Sequence, residues 1–170
     1  MAEADRFKSV LIGEALVGDG PKANRVDLVV GLKESSMEQA FISVLASPAQ
    51  GHTPLLALLE PHLRVKHSTL IINKVAIKGV QQGKMIYGPV HTAVIKVVID
   101  CIFEGFLPKE LADDLLILAS VFVEKEAVNQ ARVYDFNRRA ARQAIERAAN
   151  GWTKVEEVLA RKDYASRPVD

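Results

Sequence analysis

Two residues of opposite charge lie on one face of a predicted strand, directly after a glycine-rich loop. The segment GDGPKANRVDLVVG spans residues 18–31, and its residues 24–30 alternate as in a half-buried strand. Arg25 and Asp27 therefore point one way, and Val26 and Leu28 point the other way. Such a pair is either the solvated face of a sheet or part of a ligand site, and the pattern leaves both interpretations open.

Two further residues have the chemistry to contact a ligand. Lys74 lies in the apolar segment STLIINKVAIKG, where a lysine is either a surface residue with its ammonium in water or a contact for an anion. His91 follows Gly88-Pro89 at the predicted start of a buried helix, where backbone N–H groups and the helix dipole favour anions. It is either a site residue or an ordinary polar residue of the first turn.

The sequence contains no recognisable motif for metal binding, nucleophilic catalysis or nucleotide binding. The three other histidines, His52, His62 and His67, fall in predicted loops, where we expect them to be solvated, and none forms a zinc-type H-x-x-x-H pair. Cys101 is the single cysteine and lies in an apolar run, which predicts a buried thiol. Neither G-x-S-x-G, GxGxxG nor GxxxxGK[ST] occurs. We therefore expect a site without a metal.

The composition is that of an ordinary globular domain. Of the 170 residues, 49% are apolar and 25% are charged, and the formal net charge of +1 lacks the basic excess typical of proteins that bind nucleic acids or anionic membranes. No uninterrupted apolar stretch approaches the roughly 20 residues that span a bilayer. The first residues, MAEADRFKS, lack the apolar core of a secretory signal. We expect a cytoplasmic protein with neither nucleic-acid nor membrane partners.

Strands and helices must position these side chains, and both are predicted. Strands are expected at 10–17, 24–30, 68–79 and 115–123, and helices at 35–48, 89–105 and 127–150. The apolar run 55–59 is compatible with either state. We infer an α/β protein, a single-domain split α/β sandwich whose mixed sheet is packed by helices. Residues 1–151 would form the domain, and residues 152–170 a tail that can form a short helix.

Taken together, these segments make the sequence similar to the formaldehyde-activating enzyme family. The resemblance runs in register from about Val10 to Gly151. Each motif that carries it is weak alone, but all occur in the order of the family: GEALVGDG followed by VDLVVG, then EQAF, LLA at 55–57, TLIINKV, YGP, ADDL and NG at 150–151.

This resemblance implies a fold, an assembly and a reaction. Family members are cytoplasmic homopentamers of a split α/β fold, with the active site in the cleft between neighbouring subunits. They condense formaldehyde with the co-substrate tetrahydromethanopterin, giving methylene-tetrahydromethanopterin and water. A pterin amine adds to the aldehyde, hydroxide leaves the carbinolamine, and a second amine closes the ring. The leaving hydroxide needs a proton, which an acid titrating near pH 7 delivers best. The family uses a histidine.

At the position of that histidine, this chain has Arg25. A guanidinium stays protonated in proteins, so it cannot act as a general acid near neutrality. The resemblance therefore assigns Arg25 a catalytic position with altered chemistry. His91, which replaces a glutamine of the family pattern, is the alternative proton donor that we predict, and it would also contact the substrate.

The family's pterin-contacting residues are retained in this chain more fully than its catalytic histidine. The aspartate, leucine and lysine that the family uses to contact the pterin correspond to Asp27, Leu56 and Lys74, whereas a threonine two residues after the lysine is replaced by Ala76. Two functions remain open. One is a formaldehyde-activating lyase with altered catalytic residues. The other is a catalytically impaired paralogue that binds a pterin or another one-carbon ligand in a regulatory role.

Overall fold

The protein is a five-stranded mixed sheet with helices on both faces, and the predicted α/β fold with a mixed sheet packed by helices is confirmed. The computed structural model describes residues 3–164. The strands are, in chain order, β1 (Leu11–Val17), β2 (Asn24–Leu32), β3 (Leu55–Leu56), β4 (Leu58–Glu60), β5 (Leu63–Arg64), β6 (Ser68–Asn73) and β7 (Leu115–Phe122). The main sheet has the order β1-β2-β7-β6-β3, and β4 with β5 forms a separate ribbon. Within the main sheet β6 and β7 are parallel, while the other neighbours are antiparallel.

Residues 3–164 contain five α-helices. They are α1 (Ser36–Ala46), α2 (Val80–Met85), α3 (His91–Phe103), α4 (Gln130–Ala149) and α5 (Val155–Ala160). Ser35 begins α1 with a side chain that accepts a hydrogen bond from the Met37 N–H at 3.1 Å, and Asn129 caps α4 in the same manner. The short helix α5 lies in the predicted tail, whose last residues, 165–170, are outside the described part.

The main core lies between the sheet and the helices α3 and α4. The inward residues of β2 (Val26, Leu28 and Val30) are almost completely buried against these helices. The alanines of α4 let its backbone approach β1 so closely that a Cβ added at Gly13 would lie 1.9 Å from the Ala144 carbonyl oxygen. On the opposite face, which we call the outer face, α1 covers one end of the sheet with Met37 and Phe41.

The helix predicted to begin at Pro89 begins instead at Val80, so the predicted helix start before His91 is wrong. α2 continues into a π-helical turn, Ile86–Val90, and α3 follows without a break. Pro89 has no N–H for the regular i→i−4 pattern, and the wider π turn accommodates this loss. The His91 N–H donates to the Ile86 and Gly88 carbonyls, so it is not free to bind an anion.

The strand predicted over 68–79 ends at Asn73, so Lys74 follows the strand rather than lying within it. Asn73 is 2% exposed, and its amide donates to the Gly51 carbonyl at 2.8 Å, which holds the chain in a loop. The ambiguous run 55–59 divides between the two short strands β3 and β4.

The histidine and cysteine predictions have different outcomes. His67 was expected in solvent but is fully buried, with Nδ1 3.0 Å from the Leu111 carbonyl oxygen. His52 is partly buried, and its Nδ1 lies 2.8 Å from the Asn73 carbonyl oxygen. The buried thiol is confirmed, since Cys101 has no exposed surface and burial raises its pKa to about 12.

One continuous helical segment, Val80–Phe103, is long and apolar enough to cross a membrane. The core helix of a soluble protein passes the same test of length and composition. In this structure, Val94, Val97 and Val98 of the segment are buried in the main core. The finding is therefore weak support for a membrane span.

Candidate active site

A group of three charged side chains lies on the outer face, beyond the end that α1 covers. The Nε of Arg25 donates to Asp27 Oδ1 at 2.8 Å, and the ammonium of Lys74 pairs with the other carboxylate oxygen, Oδ2. About a quarter of the Arg25 and Asp27 side-chain surfaces is exposed, and 37% of that of Lys74. We call Arg25, Asp27 and Lys74 the ionic cluster. Asp27 thus binds two cations at once.

The strand register explains why these side chains meet. Arg25 and Asp27 are two residues apart in β2, so both project to the outer face. β6 runs parallel to β7, which is itself antiparallel to β2, so the end of β6 lies near the start of β2. The Lys74 N–H donates to the Val121 carbonyl at 2.7 Å. This bond holds the residue after β6 against β7 and brings the lysine to Asp27.

Two residues that the sequence analysis missed flank the cluster. Glu14 of β1 and Ser120 of β7 are the register partners of Asp27 on its two sides. Glu14 also pairs with the guanidinium of Arg147 on α4 at 3.0 Å. The alternation of β1 places Glu14 on the outer face, but only the register shows which residue of β2 lies opposite.

Charge and partial burial alter the acid–base chemistry of Lys74. Desolvation is the largest cause and lowers the pKa of Lys74, and the nearby Arg25 guanidinium lowers it further, whereas Glu14 raises it. The ion pair with Asp27 keeps the ammonium anchored. The ionic cluster therefore has a fixed cation next to a cation that titrates more readily than an ordinary surface lysine.

The other predicted site residues, His91, Leu56 and Ala76, have their recorded contacts outside the ionic cluster. His91 is half-buried at the start of α3, where burial lowers its pKa and a hydrogen bond with the backbone of Leu56 opposes that shift. Leu56 lies in β3 and packs against the residues beneath α1. Ala76 lies in the loop after β6, beside Gly51. Within residues 3–164, the structure records no hydrogen bond or ion pair between His91 and the ionic cluster.

A cavity of about 300 Å³ lies at the start of β2, but on the inner side of the sheet. Its lining includes Lys22, Asn24 and Arg132. The Asn24 side chain points toward α4, where it accepts a hydrogen bond from the Asn137 amide at 2.9 Å. The sheet consequently separates this cavity from the ionic cluster, which lies on the open outer face. Among residues 3–164, no group of three or more His, Cys, Asp or Glu side chains could hold a metal ion.

Comparisons with known proteins identify the family. The family model described as formaldehyde-activating enzyme (Fae) matches residues 12–170. The chain is 50% identical to a 5,6,7,8-tetrahydromethanopterin hydro-lyase of Methanosarcina barkeri over 158 residues, which cover 93% of this chain and 89% of the relative. It is 44% identical to a bifunctional enzyme Fae/Hps of Methanococcoides burtonii, with 94% of this chain covered. A bifunctional enzyme Fae/Hps of Archaeoglobus fulgidus is 42% identical, with 92% of this chain covered. This chain spans 40% of the length of each of these two bifunctional relatives. The chain therefore belongs to the formaldehyde-activating enzyme family.

Proposed function

We propose that this protein condenses formaldehyde with tetrahydromethanopterin to give methylene-tetrahydromethanopterin and water. The observation that carries the proposal is the ionic cluster. It joins the aspartate and the lysine that the family resemblance assigns to the pterin, in a chain that is 50% identical to a protein named tetrahydromethanopterin hydro-lyase. The names of the relatives favour this reaction over the regulatory alternative.

Asp27 and Lys74 are the proposed polar contacts of the pterin. The carboxylate accepts hydrogen bonds from pterin N–H groups, while the lysine donates to pterin oxygen or nitrogen atoms. Leu56 supplies an apolar surface for the ring, and Ala76 leaves space where the family pattern has a hydroxyl group. Arg25 fixes the Asp27 carboxylate through the 2.8 Å hydrogen bond from its Nε.

The reaction requires a proton donor in the site. Positioning of the pterin and formaldehyde promotes the addition and the ring closure. Loss of hydroxide from the carbinolamine requires a proton at the departing oxygen. Arg25 cannot provide it near neutral pH. His91 is the donor predicted from the sequence, although burial lowers its pKa and leaves the imidazole mostly neutral at pH 7.

The assembly and the location of the protein are further parts of the proposal. We propose a cytoplasmic homopentamer in which a neighbouring subunit completes each site, with no metal and with neither nucleic-acid nor membrane partners. Ile12 and Leu16 support an interface at this surface. They lie on the outer face of β1 next to Glu14, and 66% and 39% of their respective surfaces are exposed. Residues 1–151 are the proposed domain, with 152–170 as its tail. Native mass spectrometry would test the pentamer, and a monomer at micromolar concentration would contradict it.

The condensation assay tests the function. Formation of methylene-tetrahydromethanopterin is followed by absorbance, with the spontaneous reaction measured under the same conditions without protein. We expect a rate above this background. Asp27→Asn should raise the KM for the pterin about 10- to 100-fold, because hydrogen bonds to charged groups contribute about 1.5–3 kcal/mol. Asp100→Asn is the control, since Asp100 pairs with Lys96 on α3 outside the cluster. A parent rate equal to the background would refute the proposed function.

A further inference from the structure

The proposed reaction needs an acid, and the geometry limits the choice. Arg25 occupies the position of the family's acid, but a guanidinium cannot act as a general acid near neutrality. His91 lies at the start of α3, where burial lowers its pKa and a hydrogen bond with the backbone of Leu56 engages its side chain. Among the side chains of the ionic cluster, only Lys74 has a proton that it can give up and take back.

We propose that the ammonium of Lys74 is the general acid that protonates the departing hydroxyl of the carbinolamine, an inference that rests on the proposed function. Lys74 is anchored through Asp27 Oδ2, and 37% of its side chain is exposed. The ion pair therefore holds the ammonium in position, while the side chain stays partly open to a ligand on the outer face. Arg25 donates a hydrogen bond to Oδ1, the other oxygen of the same carboxylate.

Charged groups on several elements affect how readily Lys74 gives up its proton. Asp27 on β2 stabilises the ammonium through the ion pair, and Glu14 on β1 acts in the same sense at longer range. Burial is the largest cause that lowers the pKa of Lys74, and the repulsion between its ammonium and Arg25 on β2 lowers it further. Ser120 on β7 is neutral, while Arg147 on α4 pairs with Glu14 and weakens its effect. The arginine thus makes the neighbouring lysine a stronger acid.

The proposed step conserves atoms and charge. The pterin amine adds to formaldehyde and forms the neutral carbinolamine, N–CH2–OH. The Lys74 ammonium then transfers a proton to the hydroxyl oxygen as the C–O bond breaks, which leaves an iminium cation, water and a neutral lysine amine. The second pterin amine attacks the iminium carbon, forms the C–N bond and returns its proton to Lys74. The net products are methylene-tetrahydromethanopterin and water.

Lys74→Arg is the central test because it keeps the positive charge and can pair with Asp27 but removes the transferable proton. We expect kcat to fall about 10²- to 10⁴-fold, with a smaller change in the KM for the pterin. The parent should show a fall in kcat at alkaline pH as Lys74 loses its proton, and this fall should be absent from the variant. Lys96→Arg is the matched control because Lys96 also pairs with an aspartate, Asp100, but lies on α3. We expect it to keep the parent rate.

Arg25→Gln provides a second test in which Lys74 is intact. Removal of the guanidinium takes away a repulsive charge, so the alkaline fall in kcat should move to higher pH. The role of Lys74 would be overturned if the alkaline fall in kcat does not move in Arg25→Gln. It would also be overturned if Lys74→Arg keeps the parent rate and pH profile. A loss of activity in His91→Gln that is absent from Lys74→Arg would overturn it as well. In each of these cases the parent still exceeds the spontaneous rate, whereas a parent at background refutes the proposed function itself.

Discussion

The substitution Gly13→Ala tests how the fold sets the position of β1 beside the site. Gly13 is the first glycine of the GEALVGDG motif, and its φ is not in the left-handed region, so the glycine is required for space. An alanine Cβ would lie 1.9 Å from the Ala144 carbonyl oxygen, 2.8 Å from its carbonyl carbon and 3.1 Å from the Ala148 Cβ. Two of these three atoms belong to the α4 backbone and cannot move without the helix.

The size of the effect follows from this geometry. Ordinary contact begins at 3.4 Å, so α4 would have to move away from β1 by about 1.5 Å. The movement would open the packing around the buried residues Ala144, Ile145 and Ala148. Overpacking a core usually costs about 1–3 kcal/mol. Because the closest atoms are backbone, we expect a loss of about 3 kcal/mol in the free energy of unfolding, or about 6–12 °C in Tm.

Urea denaturation followed by circular dichroism measures this loss, with parent and variant at the same protein concentration so that any assembly contributes equally. Gly79→Ala is the matched control, because an added Cβ at Gly79 meets no atom within 4 Å. Gly79 is the N-cap of α2, where alanine is less favourable than glycine, so the control should change the unfolding free energy by less than about 1 kcal/mol. If Gly13→Ala lowers the unfolding free energy no more than the Gly79→Ala control does, the close approach of α4 to β1 is refuted.

Two other predictions concern titration and catalysis. Burial lowers the pKa of His67 below its usual 6.5, so the unfolded chain binds a proton that the folded chain excludes, and stability should fall as the pH drops below 6.5. His67→Gln should reduce the slope of unfolding free energy against pH between 7.5 and 5.5 by up to about 1.4 kcal/mol per pH unit, and an unchanged slope would contradict the prediction. Arg25→His should raise kcat near pH 6.5 at least about tenfold, less than the full 10²–10⁴ of a general acid because Lys74 already donates a proton. A rate and a pH profile equal to those of the parent would show that position 25 does not face the reacting atoms.

Much of the fold was predictable because its signals are local. The alternation of residues 24–30 predicted β2, and the apolar run 115–123 predicted β7. β7 is a central strand, with β2 on one side and β6 on the other. The prediction for the helix around His91 failed because Pro89 is an ordinary first residue of a helix. The π turn that allows a proline inside the segment 80–103 depends on the packing of the whole helix against the sheet.

The sequence by itself determined most of the strands and helices, the shared face of Arg25 and Asp27, and the family resemblance. Each of these depends on residue types at short spacing, where backbone periodicity controls direction. Only the tertiary structure decided which charges meet, because β6 and β7 are separated by a long chain segment and pair through a parallel register. That register brings Lys74 to Asp27 beside Arg25, whereas the recorded partner of the His91 side chain is the backbone of Leu56. The acid–base properties of Lys74 arise from this long-range arrangement of charge and burial, which no local pattern contains.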